Sequence, residues 1–223
     1  MKEEKEDKVK KIYEEDENKE DEAPLIENKK LFILVAVILG ILLALFSLKF
    51  FLKPKLPFPY YTYNGFEFYQ YGGLWNTQWQ RGNNLYDVHI RYGPRESEDV
   101  PFYAGFDVSF NPQGMLFLTH DPKESGLGYV ALASAEISFT LSQVFNVTPI
   151  AACTQNTTEA CYTRPIVNCE ISPENAVIYL KEIEDPSQTS ISVNGNCMLI
   201  QGNKEELVRA VDKVIWIWYG IIK

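Results

Sequence analysis

Eighteen consecutive residues, Leu31 to Leu48 (LFILVAVILGILLALFSL), carry no charge, and Phe50, Phe51 and Leu52 extend the apolar character past Lys49. A helix that spans a bilayer needs about 20 apolar residues, whereas a helix on a globular core keeps a polar face. This run has no polar face. Residues 31–52 are therefore expected to form one transmembrane helix in the lipid bilayer. The long charged stretch ahead of the run, and the lack of a small-x-small site after it, point to an uncleaved signal anchor rather than a cleaved signal peptide.

Beyond the run the hydrophobic period changes. Pro54, Pro57 and Pro59 mark residues 53–59 as a stiff stalk. YYTYNGFEFY, Tyr60 to Tyr69, alternates around Asn64-Gly65, the pair that suits a two-residue hairpin turn. That turn pairs Tyr63 with Phe66 and Tyr61 with Phe68, placing all four rings on one face with Thr62 and Glu67 opposite. Trp75, Thr77 and Trp79 alternate in the next run, and Tyr86, Val88, Ile90 and Tyr92 in the one after. Residues 60–100 thus read as a four-stranded antiparallel β-meander whose aromatic side faces a core. An exposed platform for a sugar or a partner is the alternative.

Residues 101–223 mix both periods. Strands are expected at Phe106–Phe110, with a turn at Asn111-Pro-Gln-Gly, and at Met115–Thr119 and Thr148–Cys153. A helix over Gly128–Phe145 carries the stripe Val130, Ala133, Ile137, Leu141 and Val144. Strand, helix, strand makes a βαβ unit with parallel strands. Further strands are expected at Ile166–Cys169, Ala176–Lys181 and Ser190–Ile200, the last split by Asn194-Gly195. A closing helix follows, with Asn203 as N-cap, Glu206 as its capping-box acid and Leu207, Val211, Val214, Trp218 and Ile221 as its stripe. Glu205 and Arg209 are spaced as an outward i,i+4 pair. Its end, VIWIWYGIIK, is apolar nearly all round. Either it is buried on both sides, or Trp216, Trp218 and Tyr219 form a docking surface for a protein partner, a second copy or the membrane interface. The fold class is α+β: an N-terminal transmembrane helix, an aromatic-rich meander, and a mixed sheet carrying two helices.

Charge adds the cellular geometry. Residues 1–30 hold twelve acidic and eight lysine side chains, a composition that reads as a disordered tail; Val9, Ile12 and Tyr13 make at most a short helical face. Lysines flank the apolar run on both sides and leave its orientation open. The four cysteines, Cys153, Cys161, Cys169 and Cys197, all follow it and include no CxxC pair. Three pairings are possible; Cys153–Cys161 with Cys169–Cys197 is favoured over the others and over four buried thiols. The tail is then cytoplasmic and the cysteine-bearing domain outside. Asn146-Val-Thr and Asn156-Thr-Thr match the glycosylation sequon, a match that chance also produces. Residues 49–223 carry thirteen basic against eighteen acidic side chains with no basic stripe, which disfavours a nucleic-acid partner.

Candidate chemistry is sparse. There are two histidines, His89 on the polar face of a strand and His120. No HExxH, GxSxG, Walker or GxGxxG motif occurs, and no cofactor or metal is expected. The loop Thr119–Gly126 links a strand to a helix N-terminus, a place where open α/β sheets bind anions. His120 beside Asp121 would supply an acid or base, and Ser125, Gly126 and Asn203 would hold the ligand, if the two strand-to-helix loops shared one crevice. The competing reading makes Asp121-Pro122 a turn and Ser125 a helix cap. Glu136 is expected on the surface.

YNGFEF, the spaced tryptophans, HDP after a strand, RPIVNC and GNCMLIQG…WYGII together resemble a group of archaeal single-pass membrane-anchored envelope proteins, over most of residues 58–222. The resemblance implies an envelope location and no activity. The expectation is a non-catalytic extracytoplasmic domain for protein binding or envelope assembly. The alternative is a membrane-tethered hydrolase or small-ligand binder using the 119–128 loop.

Overall fold

The computed structural model describes residues 25–51, 58–104, 110, 115–170 and 175–223. The N-terminal tail to residue 24, Pro54 and Pro57 of the stalk, Phe106 and Val108, and the Asn111-Pro-Gln-Gly turn lie outside the described residues. The chain divides into two units, Met1–Lys55 and Leu56–Lys223.

In the first unit, helix α1 spans Leu25–Phe51. Its segment Lys29–Leu48 is long and apolar enough to cross a membrane, a property that a signal sequence shares.

The second unit begins with the expected meander: β1 (Tyr60–Tyr63), β2 (Phe66–Tyr71), β3 (Leu74–Arg81) and β4 (Asn84–Ile90), antiparallel and in sequence order. The Asn64-Gly65 register pairs Tyr63 with Phe66 and Tyr61 with Phe68 as the alternation requires. Both turn residues take positive φ, 47° and 86°, the conformation that suits Asn and Gly. A short helix α2 (Pro94–Ser97) leads to β5 (Phe102–Ala104), and neither is signalled by the hydrophobic period. Then come β6 (Leu116–His120), α3 (Leu127–Thr140) with a wider π turn at Leu141–Phe145, β7 (Ile150–Cys153), β8 (Ala176–Glu182), β9 (Ser190–Asn194), β10 (Cys197–Gly202) and α4 (Glu205–Trp218). The second sheet runs β5-β9-β10-β8-β6-β7, and β10, β8, β6 and β7 are parallel. The β6-α3-β7 unit is thus the expected βαβ. The stretch Ile166–Cys169 is not a strand: it keeps a single bridge, Ile166 to Cys153. Pro165 has no N–H to extend a ladder, and Val167 turns onto the sheet face instead.

Helices α3 and α4 lie between the two sheets. Phe68 of the meander meets Trp216 edge-on at 5.4 Å, and Trp79 meets Tyr219 at 4.9 Å. On its other side α4 packs on β10 and β8, and α3 packs on β8. The buried face of the meander (Phe68, Trp75, Val88, Ile90) therefore shares one core with the helices and the six-stranded sheet, and the boundary expected near residue 100 is not a structural one. The far face of the six-stranded sheet carries a smaller core of Phe117, Ala152, Val167 and Val177. Two disulfides pin the covering segment, Cys153–Cys161 and Cys169–Cys197, with Cα separations of 6.0 and 5.5 Å.

This layering corrects the docking expectation for the closing helix. Trp216 is wholly buried and donates its indole N–H to the Tyr92 carbonyl at 2.8 Å. Tyr219 is buried and donates to Gln143 at 2.9 Å. Trp218 is half-buried, stacked on Phe110 and met by Phe145 at 5.3 Å. The rings serve the interior of the domain. Truncating the central one, Trp216→Ala, should cost about 3–5 kcal/mol of unfolding free energy. Urea denaturation of the full chain in detergent, followed by circular dichroism, measures it.

Candidate functional site

Four parallel strands end on one side of the sheet, and the loops after β6 and β10 open there as expected. They do not share a crevice, because β8 lies between β6 and β10. Its last residue fills the space. Glu182 is 9% exposed, and its Oε1 accepts from the Lys204 backbone N–H at 3.2 Å, at the start of α4. Its carboxylate also lies against Gly126, just ahead of α3, so closely that a side chain there would collide with it. The carboxylate thus occupies the position between two helix N-termini where an external anion was expected. Glu124 completes the arrangement by accepting from the Glu182 N–H at 2.9 Å.

The predicted site residues therefore part company. Asp121 accepts from the Lys123 N–H at 2.9 Å and from Gln155 at 2.6 Å, and makes the turn that the competing reading expected. Ser125 is exposed and does not cap α3, whose first turn is preceded by Gly126. Asn203 is not the cap of α4: its amide donates to the Ile183 carbonyl at 2.8 Å, and Lys204, at φ 49°, occupies the cap position. Glu206 turns to Arg209 at 2.6 Å instead of closing a capping box. Arg209 also reaches Asp99 at 2.5 Å, while Glu205 accepts from the Tyr129 hydroxyl at 2.8 Å, so the expected Glu205–Arg209 pair is replaced.

His120 faces a different opening. A groove of about 480 Å³ runs between α3 and the β6–β7 side of the sheet. Leu118, Ala131, Ser134, Ser138 and Ala151 line it, with His120 and Arg164 among them. Burial, then the nearby Arg164 charge, holds the His120 imidazole below its ordinary pKa. The groove sits against an edge strand. Cys153 sends both backbone groups outward, its N–H to the Pro165 carbonyl and its C=O to the Val167 N–H. By the two-residue period of a strand, Ala151 directs its N–H and C=O to the same edge. Leu127 in the groove wall and Ile166 beside Cys153 leave exposed apolar surface here.

The cluster that the sequence reading missed lies on the meander side of α3. Glu136, expected at the surface, has a side chain only 15% exposed and stands 3.4 Å from Arg91. Asp212 of α4 is wholly buried and accepts from the Tyr92 N–H at 2.8 Å. Burial, then hydrogen bonding to Glu136, raises the Asp212 carboxyl well above the carboxylate range. Next to it, buried Lys213 donates to the carbonyls of Glu98 and Val100 at 2.7 and 2.6 Å, and burial lowers its pKa. A signal was present in Asp212-Lys213, two charges inside the apolar stretch Val211–Trp218.

Comparison with protein-family models, with curated protein sequences and with solved structures finds no match.

One titration follows from the strand-end carboxylates. Burial pushes Glu124 up to about 7, against 4.5 for an ordinary glutamate. The folded protein therefore holds a proton that the unfolded chain releases. The associated stability is present below about pH 4.5 and is lost as pH rises towards about 7. Glu124→Gln should leave the Tm unchanged at about pH 4 and raise it at about pH 8. Thermal melts of the two proteins at both values test this.

Proposed function

We propose that this chain is a membrane-anchored, disulfide-stapled extracytoplasmic binding domain that takes an extended polypeptide segment in the groove between α3 and β7. The groove is the observation that carries the reading. It combines an apolar floor, a helix wall of small side chains (Ala131, Ser134, Ala135, Ser138) and the outward backbone groups of Ala151 on an edge strand. Peptides that add to a sheet edge use these features: main-chain pairing supplies affinity, and the adjoining hollow selects side chains. The hydrolase alternative loses support, because Asp121 is engaged by Gln155 and Lys123 and does not orient His120.

Two observations support the placement. The anchor segment Lys29–Leu48 precedes the domain, and all four cysteines after it are paired. Disulfides persist in oxidising compartments. With the domain outside, a membrane-impermeant thiol reagent applied to intact cells labels the cysteines only after reduction. Labelling without reduction, or only after the cells are opened, counts against this placement.

Selection from a displayed random-peptide library against the detergent-solubilised full chain tests the groove. Enriched peptides should bind the wild type and lose at least tenfold affinity to Ala131→Trp, which fills the groove from an exposed helix position. Failure to enrich any peptide, or binding indifferent to Ala131→Trp, overturns the assignment.

A further inference from the structure

The seam between the meander and the helices holds two acidic side chains on facing elements, Glu136 of α3 and Asp212 of α4. Asp212 is wholly buried, and the Glu136 side chain nearly so. One oxygen of each, Glu136 Oε2 and Asp212 Oδ1, is buried without a hydrogen-bond donor. Of their other oxygens, Asp212 Oδ2 accepts from the Tyr92 N–H, and Glu136 Oε1 stands 3.4 Å from Arg91 Nε, an ion pair without a hydrogen bond. Two buried acceptor atoms left without donors are satisfied together if a proton stands between them.

The surrounding charges favour that state. From β4 and the residues just after it come Arg91, the Tyr92 ring and, further along, the exposed His89. From α4 come Glu205, Glu206 and Arg209. From α3 comes Tyr129, whose hydroxyl donates to Glu205. Arg209 is held by Glu206, Asp99 and the Glu96 carbonyl, and Lys213 by two carbonyls on the α2 side. Arg91, itself 41% exposed, is the one cation among the described residues paired with Glu136, and its charge also acts on Asp212. One guanidinium balances one carboxylate, and a second negative charge would be buried uncompensated.

We propose that Glu136 and Asp212 hold a single proton between them, and that this proton locks the meander onto the helix pair and makes the seam a pH-sensitive joint. On deprotonation the O–H bond breaks, the proton passes to water, and both carboxylates become anionic beside one arginine. Water has a route in: a cavity of about 220 Å³ between β4 and α3 has Glu136, His89, Phe139 and Tyr219 in its walls. Ionisation therefore loosens the joint at β4, in the layer opposite the disulfide-covered face of the larger sheet. The sign follows from linkage: the folded state retains a proton that the unfolded chain has released, so the joint is strongest in acid and weakens as pH rises.

The test uses the full chain in detergent carrying Glu124→Gln, which removes the other raised carboxyl from the titration. Asp212→Asn supplies an amide hydrogen to Glu136 and still accepts from Tyr92, but it does not titrate. The expected result is a Tm equal to the parent's at about pH 4 and several degrees above it at about pH 8, with a flatter pH profile. Infrared spectra at neutral pH should show a protonated-carboxyl C=O band in the parent that is missing after Asp212→Asn. The band in the parent is read without any variant, and the Asp212→Asn spectrum is compared only where circular dichroism shows that the variant is folded. A parent without that band, or an Asp212→Asn profile as steep as the parent's, overturns the proposal.

Discussion

Burial of helix α4 on two opposite sides is the constraint on which the rest of the domain depends. A helix on a single sheet keeps a polar face for its charges. Here the six-stranded sheet takes Leu207, Val211 and Val214, and the meander brings Phe68 against Trp216. Little solvent-facing surface remains after the first turn. Each charge in the middle of the helix must therefore be matched by a protein group, since an unmatched buried charge costs several kcal/mol. Asp212 takes the Tyr92 N–H and Glu136, Lys213 takes two carbonyls, and Arg209 takes two carboxylates and a carbonyl. These polar contacts tie α2, β4 and α3 to α4 in fixed register, which apolar packing alone would leave looser.

The local parts of this architecture are legible in the sequence. Asn64-Gly65 and the aromatic alternation specify the meander down to its residue pairs, because a hairpin turn fixes its own register. The stripe from Val130 to Val144 specifies α3, and Asn194-Gly195 specifies the β9–β10 turn. Non-local features are not written in any window of the chain. The period of α4 identifies one buried face, but the second arises from rings about 140 residues upstream, so no local pattern assigns Asp212 and Lys213 their partners, and Glu136 reads as a surface residue. The His120 and Asn203 loops sit at the ends of parallel strands as inferred. Yet strand order, which no local pattern encodes, puts β8 between them and fills the gap with Glu182. β5 has three residues and pairs along one edge only, too little for a period to appear.

The same accounting shows why the strand ends make a poor anion site and the side of the sheet an open one. Glu182 sits where two helix N-termini converge, so the domain supplies its own counter-charge, with Asp121 and Glu124 near by. An incoming anion would have to displace a buried carboxylate and face two more. The groove beside β7 has a geometric origin instead. Six strands at about 4.8 Å spacing span roughly 24 Å, while two helices packed about 10 Å apart cover roughly 20 Å. With α4 over β10 and β8 and α3 beside it, the shortfall falls at β7, the strand at the end of the sheet. A third helix would close the gap; among the described residues none lies there, and the surface is apolar with small side chains on the helix wall. Such a surface is costly to leave wet. That contrast, between a strand end neutralised from within and an apolar groove beside the last strand, is why the groove and not the strand-end loops carries the proposed recognition.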